Sequence, residues 1–271
     1  MYTKTLGAES ASLLTKLASE GRSIFSIADA QELSGKSYST VLKDLRRLVD
    51  AGWVVKLSSG IYALVPLSAG SEAIPEANRY MIARELIKPA SYYLSHDSAF
   101  ELHNMLTRPV TTVTVASPRR LGNRTVLKVP YRFIYVPKEK IWGISSIWVT
   151  PSEQVQISDM ERTILDGLAR PELCSGVSEV ATGLWMRKDD LDWEKMILYV
   201  QKMGSLVVAK RLGYLLEFYG LGLSHISQLR EMIGESYALL DPMLPAGGPY
   251  LARWRLQINV DTKTLKGIVT T

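Results

Sequence analysis

The stretch from Lys36 to Leu64, KSYSTVLKDLRRLVDAGWVVKLSSGIYAL, carries a helical period, a glycine and two β-rich runs in an order that few folds accommodate. Val41, Leu45, Leu48 and Val49 recur at the spacing of an amphipathic helix with one buried stripe. Thr40, Lys43, Arg46 and Arg47 take the opposite side. Gly52 stands where a helix C-terminal glycine is expected, and WVVKL and GIYALV predict two strands of a hairpin turned at Ser58-Ser59-Gly60.

Two shorter signals precede this unit. ASLLTKLASEG, from Ala11 to Gly21, predicts a helix that buries Leu13, Leu14 and Leu17 and is closed by its glycine. In SIADAQELSG, Ser26 is placed as an N-cap, Asp29 as its capping-box partner and Gly35 as the end of a short helix. Helix, short helix, tight turn, helix and two-stranded wing is the order of a winged helix-turn-helix. In that arrangement the third helix enters the DNA major groove while the wing follows the phosphates.

Residues 1–65 contain eight Lys and Arg against six Asp and Glu, a net of only +2. The placement matters more than the sum. Lys36, Lys43, Arg46, Arg47 and Lys56 gather on the third helix and wing, whereas Glu9, Glu20, Asp29 and Glu32 fall on the first two helices. Phosphate neutralisation needs such a one-sided distribution. A winged helix used only for protein contacts, with Lys43 and Arg47 as a solvated face, is the competing reading.

The whole chain, 271 residues and 46% apolar, is long enough for two domains with a sizeable core. Disorder is excluded on composition, and uncharged runs such as Ile141 to Ser152 are far too short to span a membrane. MYTKTLGAES has no signal-peptide apolar core, so a cytoplasmic location is expected. The single cysteine, Cys174, permits neither an intramolecular disulfide nor a cysteine-cluster zinc site.

VPLSAGSEAIPEANRY has the Pro, Gly and Ser content of a linker, which places a domain boundary near residue 69. The expected class is α+β: a winged helix-turn-helix over 1–69, then a larger mixed α/β domain over 70–271. That second domain divides by charge into a basic part, about 84–150 at net +6, and a mainly helical part, 151–271 at net −2.

In the basic part, EANRYMIARELI predicts a helix ending at Pro89, and YYLSHDSAFELHNM a strand end leading into a helix capped by Ser95 or Asp97. TTVTVAS predicts a strand, PRRLGNR a turn, and TVLKVPYRFIYVP a second strand. On that strand Leu127, Val129, Tyr131, Phe133 and Tyr135 would share one face. Arg124, Lys128 and Arg132 would share the other, about 13 Å apart. With Arg119 and Arg120 in the adjoining turn, this row either tracks a nucleic-acid backbone or acidic partner, or is merely solvated.

In the helical part, SDMERTILDGLARPE is expected to start at Ser158 with Glu161 as box partner and to bury Met160, Ile164, Leu165 and Leu168. Two more amphipathic helices end at Gly204 and Gly220, and RWRLQINV is read as a closing strand. His96 and His103 are seven residues apart, the wrong spacing for paired ligands on a helix. No phosphate loop, dinucleotide fingerprint or serine elbow occurs, and neither a cofactor nor a metal is expected.

The stretches YYLSHDSAFELHNMLTRPVTTVTVASPRR, ISDMERTILDGLARPE and AKRLGYLLEFYGL, in this order, resemble the AbiEi-type antitoxins of abortive-infection systems. The resemblance runs from about Ser10 to Val260. It implies a non-enzymatic transcriptional regulator that represses its own operon by binding promoter repeats in double-stranded DNA. It further implies a C-terminal antitoxin domain that counteracts a nucleotidyltransferase-like toxin encoded beside it. The family's DNA-reading role falls on Ser37, Tyr38, Ser39, Thr40, Lys43 and Arg47. Its basic C-terminal surface corresponds to Arg119, Arg120, Arg124, Lys128 and Arg132. A nuclease-like enzyme delivered to DNA by a winged helix is the alternative.

Overall fold

The structure, a computed structural model, describes residues 6–66, 75, 77–151 and 153–270. The chain begins with α1 (Ala8–Ser19), β1 (Ile24–Ser26), α2 (Ile27–Ser34), α3 (Tyr38–Asp50), β2 (Val54–Ser58) and β3 (Ile61–Leu64). Local chemistry sets most of these limits. The Ser26 hydroxyl accepts from the Asp29 amide at 3.1 Å, and the Asp29 carboxylate accepts from the Ser26 amide at 2.6 Å. This reciprocal pair satisfies two otherwise orphaned donors at the start of α2. Gly35 ends α2 at φ 67°, a left-handed conformation in which a side chain would be strained. The stripe on α3 is buried as expected at Val41, Leu45 and Leu48.

The three residues of β1 were not anticipated. They pair antiparallel with β3, giving the order β1-β3-β2. Alternation along these strands makes the small sheet two-faced. Phe25, Val54 and Tyr62 pack with Leu13, Leu17, Leu45 and Leu48 in the helical core. Ile24, Leu57 and Ala63 face the other way, with Val55 and Ile61 beside them.

That second face is covered by α4 (Arg79–Ile87), where Tyr80, Met81, Ile82, Ala83, Leu86 and Ile87 are all buried. The expected linker and the boundary at 69 lie largely on residues 67–74, outside the described residues. On either side of them the back of the winged-helix sheet and α4 with the strands that follow it share one apolar core.

Next come β4 (Tyr93–Leu94), α5 (Asp97–Leu102), β5 (Val113–Ser117), β6 (Arg124–Val126), β7 (Val129–Tyr135), β8 (Ile144–Thr150) and β9 (Glu153–Ser158). They form a six-stranded mixed sheet ordered β6-β7-β5-β4-β9-β8, parallel only at β5/β7 and β4/β9. One face, with Leu94, Val113, Val115, Tyr131 and Ile157, packs on α4. The opposite face receives α6 (Met160–Ala169), whose Arg162 pairs with Asp166 at 2.7 Å and donates to the Tyr93 hydroxyl and the Trp142 carbonyl at 3.1 Å each.

The remaining helices, α7 (Val177–Met186), α8 (Trp193–Met203), α9 (Leu206–Tyr219), α10 (Ile226–Glu231) and α11 (Thr262–Gly267), enclose a third core. Between α10 and α11 the short strands β10 (Ala238–Leu239), β11 (Tyr250–Leu251) and β12 (Leu256–Gln257) form a small sheet. The α+β class, with a winged helix followed by a larger α/β part, is therefore present.

Four local expectations are corrected. Residues 124–135 form a hairpin rather than one strand, because Leu127 and Lys128 adopt φ 49° and 65° and turn the chain. Asp159, not Ser158, caps α6 by accepting from the Arg162 amide at 2.9 Å, while the buried Ser158 hydroxyl bonds to that of Thr163. Its expected partner Glu161 instead accepts from the Asp192 amide and the Lys195 ammonium. Neither Ser95 nor Asp97 caps α5: His96 stands at that position, with no side-chain bond to the helix. RWRLQINV contributes only the two residues of β12, because Trp254 and Arg255 lie in a turn.

Because the two sheets share a core, the chain is expected to unfold as one unit. Leu57→Ala should cost about 2–5 kcal/mol, as for other buried leucines, in a single denaturant transition seen alike by fluorescence and circular dichroism. A separate early transition for the winged helix would show that the shared core contributes little.

Candidate nucleic-acid interface

The exposed side of α3 opposes its buried stripe. Ser37 caps the helix: its hydroxyl accepts from the Thr40 amide at 3.4 Å and lies 3.2 Å from the Ser39 hydroxyl and 2.9 Å from that of Thr40. Tyr38 in the first turn is 56% exposed. Ser39, Thr40, Lys43, Arg46 and Arg47 are exposed as well, as is Lys56 on β2. No carboxylate among the described residues pairs with Lys43, Arg46, Arg47 or Lys56, whereas the neighbouring Lys36 is fully engaged. Its ammonium lies 2.7 Å from Asp44 and 2.6 Å from Glu9, and these two carboxylates, Asp44 foremost, raise its pKa. Lys36 thus joins α1 to α3, while the other four cations face outward.

The second basic group does not form the single row expected of it. Arg124 is opposite Tyr131 and therefore on the α4 side of the sheet, whereas Arg132 is opposite Thr114 and on the other side. Lys128 sits in the hairpin turn and Arg119 in the loop before β6. Two of the five side chains lie over aromatic rings: the Arg120 guanidinium is 4.2 Å from the Tyr135 centroid, and that of Arg124 is 5.4 Å from Phe133. The sequence reading treated Phe133 and Tyr135 only as an apolar face. Their roles depend on cross-strand register, and the turn setting that register lacks the usual Asn-Gly or Asp-Gly signal.

The two candidate histidines have structural positions. His96 is 5% exposed, stands at φ 50° between β4 and α5, and has Nδ1 3.0 Å from the Ser95 hydroxyl. Burial, aided by the charges of Arg170, Arg162 and Arg132, lowers its pKa to about 3. His103 donates from Nε2 to the Ser158 carbonyl at 2.7 Å, tying α5 to the end of β9. Among the described residues, no three His, Cys, Asp or Glu side chains gather as a metal site. No helix there is long and apolar enough to cross a membrane.

The depressed pKa of His96 has a definite sign for stability. The fold holds the neutral imidazole, so the unfolded chain takes up a proton between pH 6.5 and about 3 that the folded chain refuses. Stability contributed above pH 6.5 is therefore lost progressively as the pH falls through that window. His96→Asn, which removes the titrating ring and keeps a polar side chain, should flatten this loss in denaturant titrations at about pH 7 and about pH 4.

Comparison with solved structures finds the same fold in the RV2827C protein from Mycobacterium tuberculosis, with a TM-score of 0.72 and 15% identity over 99% of this chain and 97% of that one. No curated protein matches the sequence. Residues 12–65, which run from within α1 to just past β3, match the family described as "Transcriptional regulator, AbiEi antitoxin". The winged helix-turn-helix is thus the part of the chain that matches this AbiEi family, which supports the AbiEi-type resemblance read from the sequence.

Proposed function

We propose that the chain is a DNA-binding antitoxin that represses its own operon through the winged helix and counteracts a nucleotidyltransferase-like toxin through its C-terminal part. The observation that carries this reading is the coincidence of the AbiEi match over residues 12–65 with an α3 whose outward cations have no carboxylate partner among the described residues. Repression is assigned to residues 1–69 and neutralisation to 70–271, and no catalytic step is invoked.

The physical case for duplex DNA rests on the cations along the exposed face of α3 and on the wing, which have no carboxylate partner among the described residues. Lys43, Arg46, Arg47 and Lys56 can each displace a counterion from the phosphates, and Ser37, Tyr38, Ser39 and Thr40 bring short polar or planar groups to the N-terminal turn that faces base edges. Lys36 plays a different part, because its charge is satisfied by Asp44 and Glu9 within the protein. For neutralisation, Arg119, Arg120, Arg124 and Lys128 supply the basic surface, and Arg132 stands on the other side of the sheet.

Lys43→Ala or Arg47→Ala should weaken binding to the promoter repeats by about 1–3 kcal/mol and relax sequence preference where the contact is to a guanine edge. Lys56→Ala should weaken all sequences alike and lower the salt slope by about one. Salt titrations of operator binding by full-length variants read both effects. Wild-type affinity in the double Lys43, Arg47 variant would remove repression from the proposal.

Neutralisation is best tested with the toxin expressed from an unrelated promoter, so that operon repression cannot imitate rescue. Arg119→Glu with Arg120→Glu should reduce protection while leaving the melting temperature nearly unchanged, since exposed charges add little to stability. Full protection by this variant would return these two arginines to a merely solvated role.

A further inference from the structure

The hairpin β6–β7 and the loop before it gather cations in a stretch that offers them no carboxylate. From Leu102 to Lys138 the sequence has seven Lys and Arg and no Asp or Glu. Arg79, Arg84 and Arg108, in the same half of the chain, are each paired with a carboxylate. No such partner exists among the described residues for Arg119, Arg120, Arg124 or Lys128, all of which are exposed. Instead Arg120 lies over Tyr135, itself 45% exposed, and Arg124 lies over Phe133. The turn at Leu127 and Lys128 carries Lys128 to the end of this strip, and β6 is the outer strand of its sheet.

We propose that this strip binds single-stranded nucleic acid, with Arg120 and Arg124 as planes on which unpaired bases stack and Arg119 and Lys128 on the phosphates. A guanidinium held over a ring keeps its outer face for a base and its N–H edges for phosphate oxygens. Such a pair is of use only where bases are free to splay, because the bases of a duplex are already stacked on one another. An acidic polypeptide would be served as well by lysines and would need no rings. The inference rests on the reading of this basic surface as a working one and is independent of repression by α3.

The test uses the full chain, with labelled single-stranded RNA and DNA of mixed sequence and the matching duplex, followed by fluorescence anisotropy. The variant R120K/R124K keeps the charge and removes the planar groups. It should bind single strands at least about tenfold more weakly, with duplex affinity changed less than about twofold. Tyr135→Leu should independently weaken single strands by about fivefold, since it removes the support of Arg120. The two strand chemistries distinguish RNA from DNA as the source.

Undiminished single-strand binding by both variants would overturn the proposal, as would parallel loss of single-strand and duplex binding or no binding at all by the wild-type chain. K43A/R47A separates this outcome from the repressor reading. It should lose the promoter duplex and keep the single strand.

Discussion

Nine residues of α4 hold the molecule together, because two sheets compete for its surface and both are satisfied. A helix whose apolar side chains point in more than one direction is stable only when each of those directions is covered. Here the back of the winged-helix sheet and one face of the six-stranded sheet provide the cover. Each of Met81, Ile82, Leu86 and Ile87 is buried, which stabilises by about 1.5–3 kcal/mol per side chain. The charged residues on α4 fix its register. Arg84 bridges Glu85 at 2.9 Å and Glu153 at 2.6 Å, so α4 is tied to the first residue of β9. Breaking such a part-buried pair by removing one partner is more damaging than the pair is stabilising.

Electrostatics divides the cations by occupation rather than by number. Lys36 and Arg162 work inside the fold, one joining two helices and the other carrying α6 to the sheet. Burial raises the Asp166 carboxyl above its ordinary range even beside Arg162, which marks the interior as a place where charge is tolerated only when bonded on several sides. The cations of α3 and of the β6–β7 hairpin that have no carboxylate partner among the described residues stand apart from these. A net charge of +2 on the first 65 residues understates what α3 can do, because the acids on α1 and α2 are turned elsewhere or consumed by Lys36 and Arg22.

Legibility from sequence followed the range of the interactions involved. The capping box at Ser26 and Asp29, the stripe of α3 and the glycine stops are local, and each was readable because the deciding partners lie within four residues of one another. The basic face of α3 was legible for the same reason. Apart from the caps of α5 and α6, each missed by one residue, failures occurred where a distant partner decided. Three residues of β1 have no period to detect, and their strand exists only because β3 lies beside them. Leu127 and Lys128 accept positive φ at a cost of roughly 1–2 kcal/mol, against their own preference, in exchange for pairing β6 with β7. That exchange places Arg124 over Phe133, which no reading of a single extended strand contains.

Trp254 and Gly213 give the C-terminal half a comparable long-range dependence, since a side-chain carbon on Gly213 would fall 2.1 Å from the indole. At the other end of the chain, the back of the winged-helix sheet bears on modularity. The winged helix presents Ile24, Leu57 and Ala63 to α4, a helix beyond the segment that follows it. A winged helix with a polar back would leave α4 uncovered. Recombination at the segment between the two parts is therefore constrained by the back of the small sheet. Swapping the winged helix means swapping its apolar back as well.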